Sequence, residues 1–314
     1  MTQDEPEALS PFLNGTNIQF AWDSTSLGWA KTCPRLYYYN MICCYRPKDE
    51  SVHLRFGREY QKALEEYDIW RAAGITHDEA EHEVVDQLMR RLEDYVDPPT
   101  GTRSVLLKTK ANLVRTVIWH LEQFKDDPAK TFILKDGTPA VELSFRFQLD
   151  FGPQAGQPYL LCGHLDRVVE FNDEIFVIDH KTTASTIGTN YFDQYEPNNQ
   201  MTLYTLAGQI VLKSTIKGVI VDAAQILVDS SRFIRSITYR TPDQLEEWLE
   251  DLSYHLRVME TYATEDYWPQ NDTACDKYGG CRFRGVCSKS PKVRENFLNS
   301  DFTQEQAWNP LEVR

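Results

Sequence analysis

Twenty consecutive residues, GHLDRVVEFNDEIFVIDHKT at 163–182, constrain the fold of this chain more than any other stretch. Two period-two runs flank the dipeptide Asn172-Asp173, a pair suited to the two-residue turn of a β-hairpin. Such a turn fixes the register, so that opposed residues have position numbers summing to 345. Asp166 and Asp179 meet that condition and are expected to face one another with Cβ atoms roughly 5 Å apart. Two carboxylates so placed repel, and the usual relief is a shifted pKa or a bound cation. Lys181, two residues beyond Asp179, projects from the same face. A solvent-facing hairpin whose acids pair with Arg167 and Lys181 would also fit. The apolar run Phe176-Val177-Ile178 argues instead for a strand buried on both faces, where unpaired acids are costly.

The surrounding pattern is α/β. Residues 56–124 read as helical, with Thr76-x-x-Glu79 as a capping box ahead of Val84, Leu88 and Leu92, and Pro98-Pro99 as a break. The period then changes to two in AVELSFRFQLD, PYLLCGHLDRVVEF, EIFVIDHKT, GVIVDAAQILV and RFIRSITYR. A helix, NNQMTLYTLAGQIVLK, falls between the third and fourth strands, and Thr241-Pro242 opens another. No internal repeat is visible. Residues 1–22 read as an N-terminal arm and 296–314 as a C-terminal tail.

Seven cysteines, an odd number, suit a reducing compartment and metal binding better than disulfides. Cys275, Cys281 and Cys287 recur at equal intervals among glycines near one end, and three thiolates call for a fourth ligand. Cys33 is one choice, and Cys43 or Cys44 could replace it. The formal charge of −14 argues against nonspecific coating of nucleic acid. Residues 59–97 hold twelve acidic and four basic side chains, whereas 275–294 hold six basic and one acidic, so any contact with nucleic acid has to come from a local patch. That patch includes Lys277, Arg282 and Arg284, with Tyr37 nearby offering a ring for base stacking. With neither a long apolar run nor a signal-peptide pattern, a soluble cytoplasmic protein without membrane association is expected.

Gly163-His164-Leu165-Asp166-Arg167-Val168, Asp179-His180-Lys181-Thr182 and Gln200-x-x-x-Tyr204 together resemble the successive motifs of RecB-like PD-(D/E)XK nucleases. Upstream, FGREYQKALEEY resembles the Gly-x-x-x-His-x-x-x-Glu helix of that family, with Gly57 and Glu65 matched but Gln61 in the histidine position. The resemblance implies an α/β, restriction-endonuclease-like core: a mixed central sheet flanked by helices, a helical N-terminal insertion and a cysteine-cluster cap. It implies a single nuclease domain over 23–295, with a helical part at 53–128, the catalytic sheet at 139–262, and a cap formed by 263–295 with Cys33.

By the same resemblance, Asp166, Asp179 and the His180 carbonyl would hold Mg²⁺ or Mn²⁺, with Gln61 as a weaker ligand. Lys181 would act on the attacked phosphate, and Gln200, Tyr204 and Glu65 would complete the site, with Glu142 as a possible preceding acid. Cys33, Cys275, Cys281 and Cys287 would hold a [4Fe–4S] cluster, zinc being the alternative. The implied activity is a metal-dependent DNA exonuclease working on single-stranded or frayed ends in recombination, repair or CRISPR-type processing. A recombination, helicase or CRISPR-adaptation protein is the implied partner. Gln61 keeps open a catalytically weak or inactive nuclease fold that only binds DNA or a partner protein.

Overall fold

The computed structural model describes residues 10–154, 156–276, 280–306 and 308–312. Its strands are β1 (Ala21–Trp22), β2 (Tyr45–Pro47), β3 (Lys130–Thr131), β4 (Val141–Gln148), β5 (Leu160–Phe171), β6 (Glu174–Thr183), β7 (Ile216–Ile226), β8 (Ser231–Thr238) and β9 (Phe302–Gln304). Its α-helices are α1 (Ser24–Thr32), α2 (Pro34–Tyr37), α3 (Val52–Ala72), α4 (His77–Arg91), α5 (Arg103–Leu106), α6 (Lys110–Gln123), α7 (Thr189–Phe192), α8 (Asn199–Leu212), α9 (Pro242–Thr264), α10 (Arg284–Cys287) and α11 (Arg294–Asp301). The class is the expected mixture of a mixed sheet and flanking helices. Among the described residues no helix is long and apolar enough to cross a membrane.

The chain divides into two compact units. One unit comprises Glu50–Leu143 and His164–Pro242. In it β5 and β6 are antiparallel, β6 and β7 parallel, and β7 and β8 antiparallel, which leaves β6 interior. The β5–β6 turn follows the expected design: Asn172 and Asp173 both take positive φ, 52° and 60°. The pairs Arg167–Ile178, Val168–Val177 and Phe171–Glu174 confirm the register read from the sequence. Helix α4 starts at the Thr76 capping box, and Val84 and Leu88 join Phe56, Leu64, Leu113 and Val117 in a closed apolar core. Gly208 on α8 lies against Ile216 and Val177, where an added Cβ would come within 2.8 Å of Ile216. That close approach seats the helix above the sheet.

The other unit comprises Met1–Asp49, Ser144–Gly163 and Asp243–Arg314. Among the described residues, the segments read as arm and tail both carry regular structure. Ala21 and Trp22 pair in parallel with Leu160 and Leu161, and Phe12 bridges Gln19. Helix α11 and strand β9 occupy the segment read as tail, with β9 pairing antiparallel to β2. The physical reason is burial: Leu298 and Phe302 close an aromatic cluster with Tyr39, Tyr45 and Phe283. Phe302 stacks on Phe283 with ring centroids 4.7 Å apart. Only a few residues of the segment carry this packing, too few to register as periodicity.

Candidate active site and cysteine centre

Asp166 lies on β5 one residue beyond the last of those opposed pairs, and Asp179 lies across from it on β6. Both carboxylates are buried, Asp179 completely. The His180 backbone N–H donates to Asp166 Oδ2 at 3.2 Å, which ties the two strands where the acids meet. Lys181 places its ammonium 2.8 Å from Asp179 Oδ1 and 2.7 Å from Oδ2, and only the first contact has hydrogen-bond geometry. The same ammonium donates to Gln200 Oε1 at 3.1 Å, and Gln200 Nε2 donates to the Tyr204 hydroxyl at 2.9 Å. Residues from two strands and one face of α8 therefore converge, as the i, i+4 spacing of Gln200 and Tyr204 anticipates.

Electrostatics bind the group together. Burial drives the Asp166 carboxyl well above the ordinary range, and the neighbouring Asp179 and Glu142 carboxylates push it further, against Lys181 and the His180 N–H. Burial likewise raises Asp179, with Lys181 opposing. Burial works against the Lys181 ammonium, yet Asp179 and Asp166 leave its pKa raised overall. Burial lifts the Tyr204 hydroxyl, aided by the Asp166 and Asp179 charges.

Glu142, on β4, is buried and adopts φ +47°, a sparsely populated conformation of the sort that persists where its surroundings enforce it. Its carboxylate accepts from Gln61 Nε2 at 3.0 Å. Gln61 thus meets the acid preceding the hairpin, while Glu65, one turn along α3, pairs with Lys62 at 2.7 Å. Two residues that sequence reasoning passed over also stand here. Tyr191 is close enough to Lys181 and Asp179 for their charges to act on its hydroxyl. Lys108 is buried, with Nζ 4.2 Å from the centre of the Phe56 ring and 3.5 Å from Thr182 Oγ1, and desolvation lowers its pKa to about 8. Neither belongs to a periodic segment, so neither had a signal.

The donor set is one that hard divalent cations favour: carboxylate and carbonyl oxygens, with an Asp179 oxygen buried and lacking a directed hydrogen bond. Asp166, Asp179, Glu142 and the amide oxygen of Gln61 fit Mg²⁺ or Mn²⁺ better than a softer ion.

In the other unit, Cys33 caps the end of α1 and the start of α2, and its Sγ accepts from the Asn271 N–H at 3.3 Å. Cys275 and Cys281 are joined by an N–H to carbonyl bond of 2.8 Å. Burial raises the thiol pKa of both Cys281 and Cys287; Cys275 and Cys33 raise Cys281 further, as Cys281 and Cys33 do Cys287. The four expected ligands are therefore neighbours. Cys43 instead meets Tyr38 and Cys44, and Cys162 is buried. Among the described residues no three cysteine sulfurs lie within 4.8 Å of one another. Arg284 pairs with Asp276, and both Arg284 and Arg282 are exposed. Lys277 lies outside the described residues. Tyr37 corrects the expected stacking platform: it is buried, stacks on Trp22 at 5.6 Å and donates its hydroxyl to Gln19 Oε1.

A buried pair of aspartates with a lysine two residues after the second thus stands on adjacent strands of a mixed sheet, as the motifs in the sequence anticipate. The chain belongs to the PD-(D/E)XK nuclease superfamily, whose sequence profile matches residues 24–288. Among solved structures it is similar to a presumed exonuclease from Eubacterium rectale, with a TM-score of 0.52, 12% identity, and 88% of this chain and 92% of that chain covered. The crystal structure of the protein SSO0001 also matches, at a TM-score of 0.31 and 12% identity over 77% of this chain and 79% of that one. No curated protein matches the chain.

Proposed function

We propose that the protein is a RecB-like, Mg²⁺- or Mn²⁺-dependent exonuclease that hydrolyses DNA at single-stranded or frayed ends. The observation that carries this reading is the convergence of Asp166, Asp179 and Lys181 in one buried site, completed by Gln200 and Tyr204. The fold shared with a presumed exonuclease agrees with it. Asp166 and Asp179, with the His180 carbonyl, would hold the cation. When bound, the cation supplies Lewis acidity toward the scissile phosphate and lowers the pKa of a water molecule. Lys181, fixed by Asp179 and Gln200, is placed to offset charge building on the phosphate. Tyr204 and Gln200 orient that ammonium at the rim.

Cys33, Cys275, Cys281 and Cys287 would hold a [4Fe–4S] cluster. A tetrahedral zinc with Zn–S bonds of about 2.3 Å needs its sulfurs roughly 3.8 Å apart. Zinc held by the same four thiolates is the alternative. Closing the roughly 240 residues between Cys33 and Cys275 would contribute about 4–5 kcal/mol if it behaved as a long disulfide loop does. The role assigned to the cluster is structural, and the protein would show a brown absorption near about 400 nm.

The test is cleavage of end-labelled single-stranded and duplex DNA with Mg²⁺ or Mn²⁺. Progressive shortening from ends is expected, and its loss in Lys181→Ala without loss of fold. A protein that retains DNA but cuts nothing with Mn²⁺ would establish the alternative, a binding protein on a nuclease fold, which the occupation of the usual histidine position by Gln61 favours.

A further inference from the structure

His180 stands between Asp179 and Lys181 in sequence but turns to the opposite face of β6, where nothing in the nuclease chemistry uses it. There its ring meets Asp222, its register partner on β7, and His120 from α6. His180 Nδ1 and His120 Nε2 lie 3.6 and 3.8 Å from Asp222 Oδ2. All three ligand atoms fall within 4.8 Å of one another, a compass that one ion can span. The side chains are buried, and His180 Nδ1 and Asp222 Oδ1 lack any hydrogen-bond partner. Buried polar atoms without partners carry a cost of about 1–3 kcal/mol each and call for an explanation.

The geometry points to a second metal site, His120–His180–Asp222, that takes a zinc-like transition ion on the face of β6 opposite the nuclease carboxylates. Two imidazoles and one carboxylate are the donor set of that ion class, distinct from the all-oxygen set around Asp166. His120 already has the outer support such ligands use. Its Nδ1 lies 2.8 Å from the Tyr60 hydroxyl, which leaves Nε2 directed at the gap. Burial holds both imidazoles in the neutral, metal-binding form.

The surroundings tolerate a cation despite two nearby guanidiniums. Arg235 contacts Asp222 and Asp127 at 2.9 and 2.8 Å, and Arg167 contacts Asp68 at 3.3 Å. Three carboxylates against two guanidiniums leave the network short of positive charge. Asp222 Oδ2, which faces both imidazoles, also accepts from Arg235 Nε, and Asp222 Oδ1 is buried without a hydrogen-bond partner. A cavity of about 240 Å³, lined by His120, His180, Arg167 and Arg235, gives room for entry and for water to complete the coordination shell.

Two measurements on the full-length protein decide the matter. Crystals soaked in Zn²⁺ should give anomalous density at the zinc edge, about 2.0–2.2 Å from His120 Nε2, His180 Nδ1 and an Asp222 oxygen. Density at Asp166–Asp179 or at the cysteines, with none at these three residues, overturns the site. In equilibrium dialysis with Co²⁺, His120→Gln should bind one equivalent fewer than wild type. Asp179→Asn, which removes a nuclease-face donor, should keep the equivalent that His120→Gln loses. Equal binding by wild type and His120→Gln overturns the site, whatever the outcome of the DNA cleavage assay.

Discussion

The two faces of β6 solve the problem of buried charge differently. On one face Asp179 and Lys181 form an ion pair beside a second carboxylate, Asp166, so negative charge is left in excess at the proposed nuclease site. On the other face Asp222 and Asp127 share Arg235 between them, and Arg167 reaches both Asp68 and Asp127. The first arrangement leaves two carboxylates to one ammonium, and the second spreads three carboxylates over two guanidiniums. Alternation of side chains along one strand is what keeps them apart: consecutive residues 179, 180 and 181 belong to different chemistries.

If the first face is where bonds are broken, changes there should cost activity far more than stability. Asp179→Asn removes one charge but preserves shape, and Lys181→Met removes the ammonium. Each should lower DNA cleavage on the order of 100- to 1000-fold, the usual effect of deleting one group that stabilises developing charge. Circular dichroism and thermal melts should remain close to wild type. Cleavage within tenfold of wild type in both variants would break the comparison at its root.

Changes on the opposite face should reverse the balance. Arg235→Met leaves Asp222 and Asp127 buried without their shared partner. Breaking a buried pair from one side costs about 3–5 kcal/mol, and the partial exposure of Arg235 places the expectation at the lower end. The midpoint of urea unfolding should fall accordingly, while cleavage per folded molecule changes less than tenfold. A large loss of activity at unchanged stability would show that the two faces act as one site.

The contrast also has a pH signature. Burial raises the Asp68 carboxyl to about 6, with Arg167 opposing and Asp127 adding to the shift. The folded chain therefore holds this proton more tightly than the unfolded chain, whose aspartate titrates near 3.8. The resulting contribution to stability is fully present below that lower value and is lost as the pH rises through about 6. Replacing Asp68 by Asn should flatten the fall between about pH 4 and 6, a difference of roughly 2–3 kcal/mol read from denaturant midpoints. Parallel curves for wild type and variant would remove Asp68 as its source.

The two faces were not equally legible in the sequence. A two-residue turn and strict alternation fix the pairing of Asp166 with Asp179 and the side on which Lys181 lies, because both are local properties of a hairpin. Gln200 and Tyr204 follow from helix periodicity. The opposite face depends on His120 meeting His180 and Asp222 from a helix some sixty residues earlier in the chain, and no local pattern encodes that contact. The cysteines lie between these cases. Their recurrence singles them out, but irregular turns and the short helix α10 hold them, so periodicity says nothing of their spacing. Tyr37 was misread because an aromatic near a basic segment looks the same whether its ring is exposed or buried under Trp22.

The smallest expected effect bears on how far the first face is tuned for catalysis. Gln61 donates to Glu142 and so spends its amide on a neighbouring acid. An imidazole there would offer a neutral nitrogen of greater affinity for transition ions than an amide oxygen. Gln61→His should lower the Mn²⁺ concentration for half-maximal cleavage by about three- to tenfold, and by less for Mg²⁺, which favours oxygen donors. Tenfold corresponds to about 1.4 kcal/mol, close to the worth of one hydrogen bond to a charged group, so losing the Gln61–Glu142 contact could cancel part of the gain. Glu142→Gln in the same background separates these contributions, because it removes the carboxylate but leaves the imidazole. If Gln61→His leaves the Mn²⁺ requirement unchanged both with Glu142 and with Gln at position 142, the α3 position lies outside the cation's reach, and the first face works with the hairpin donors alone.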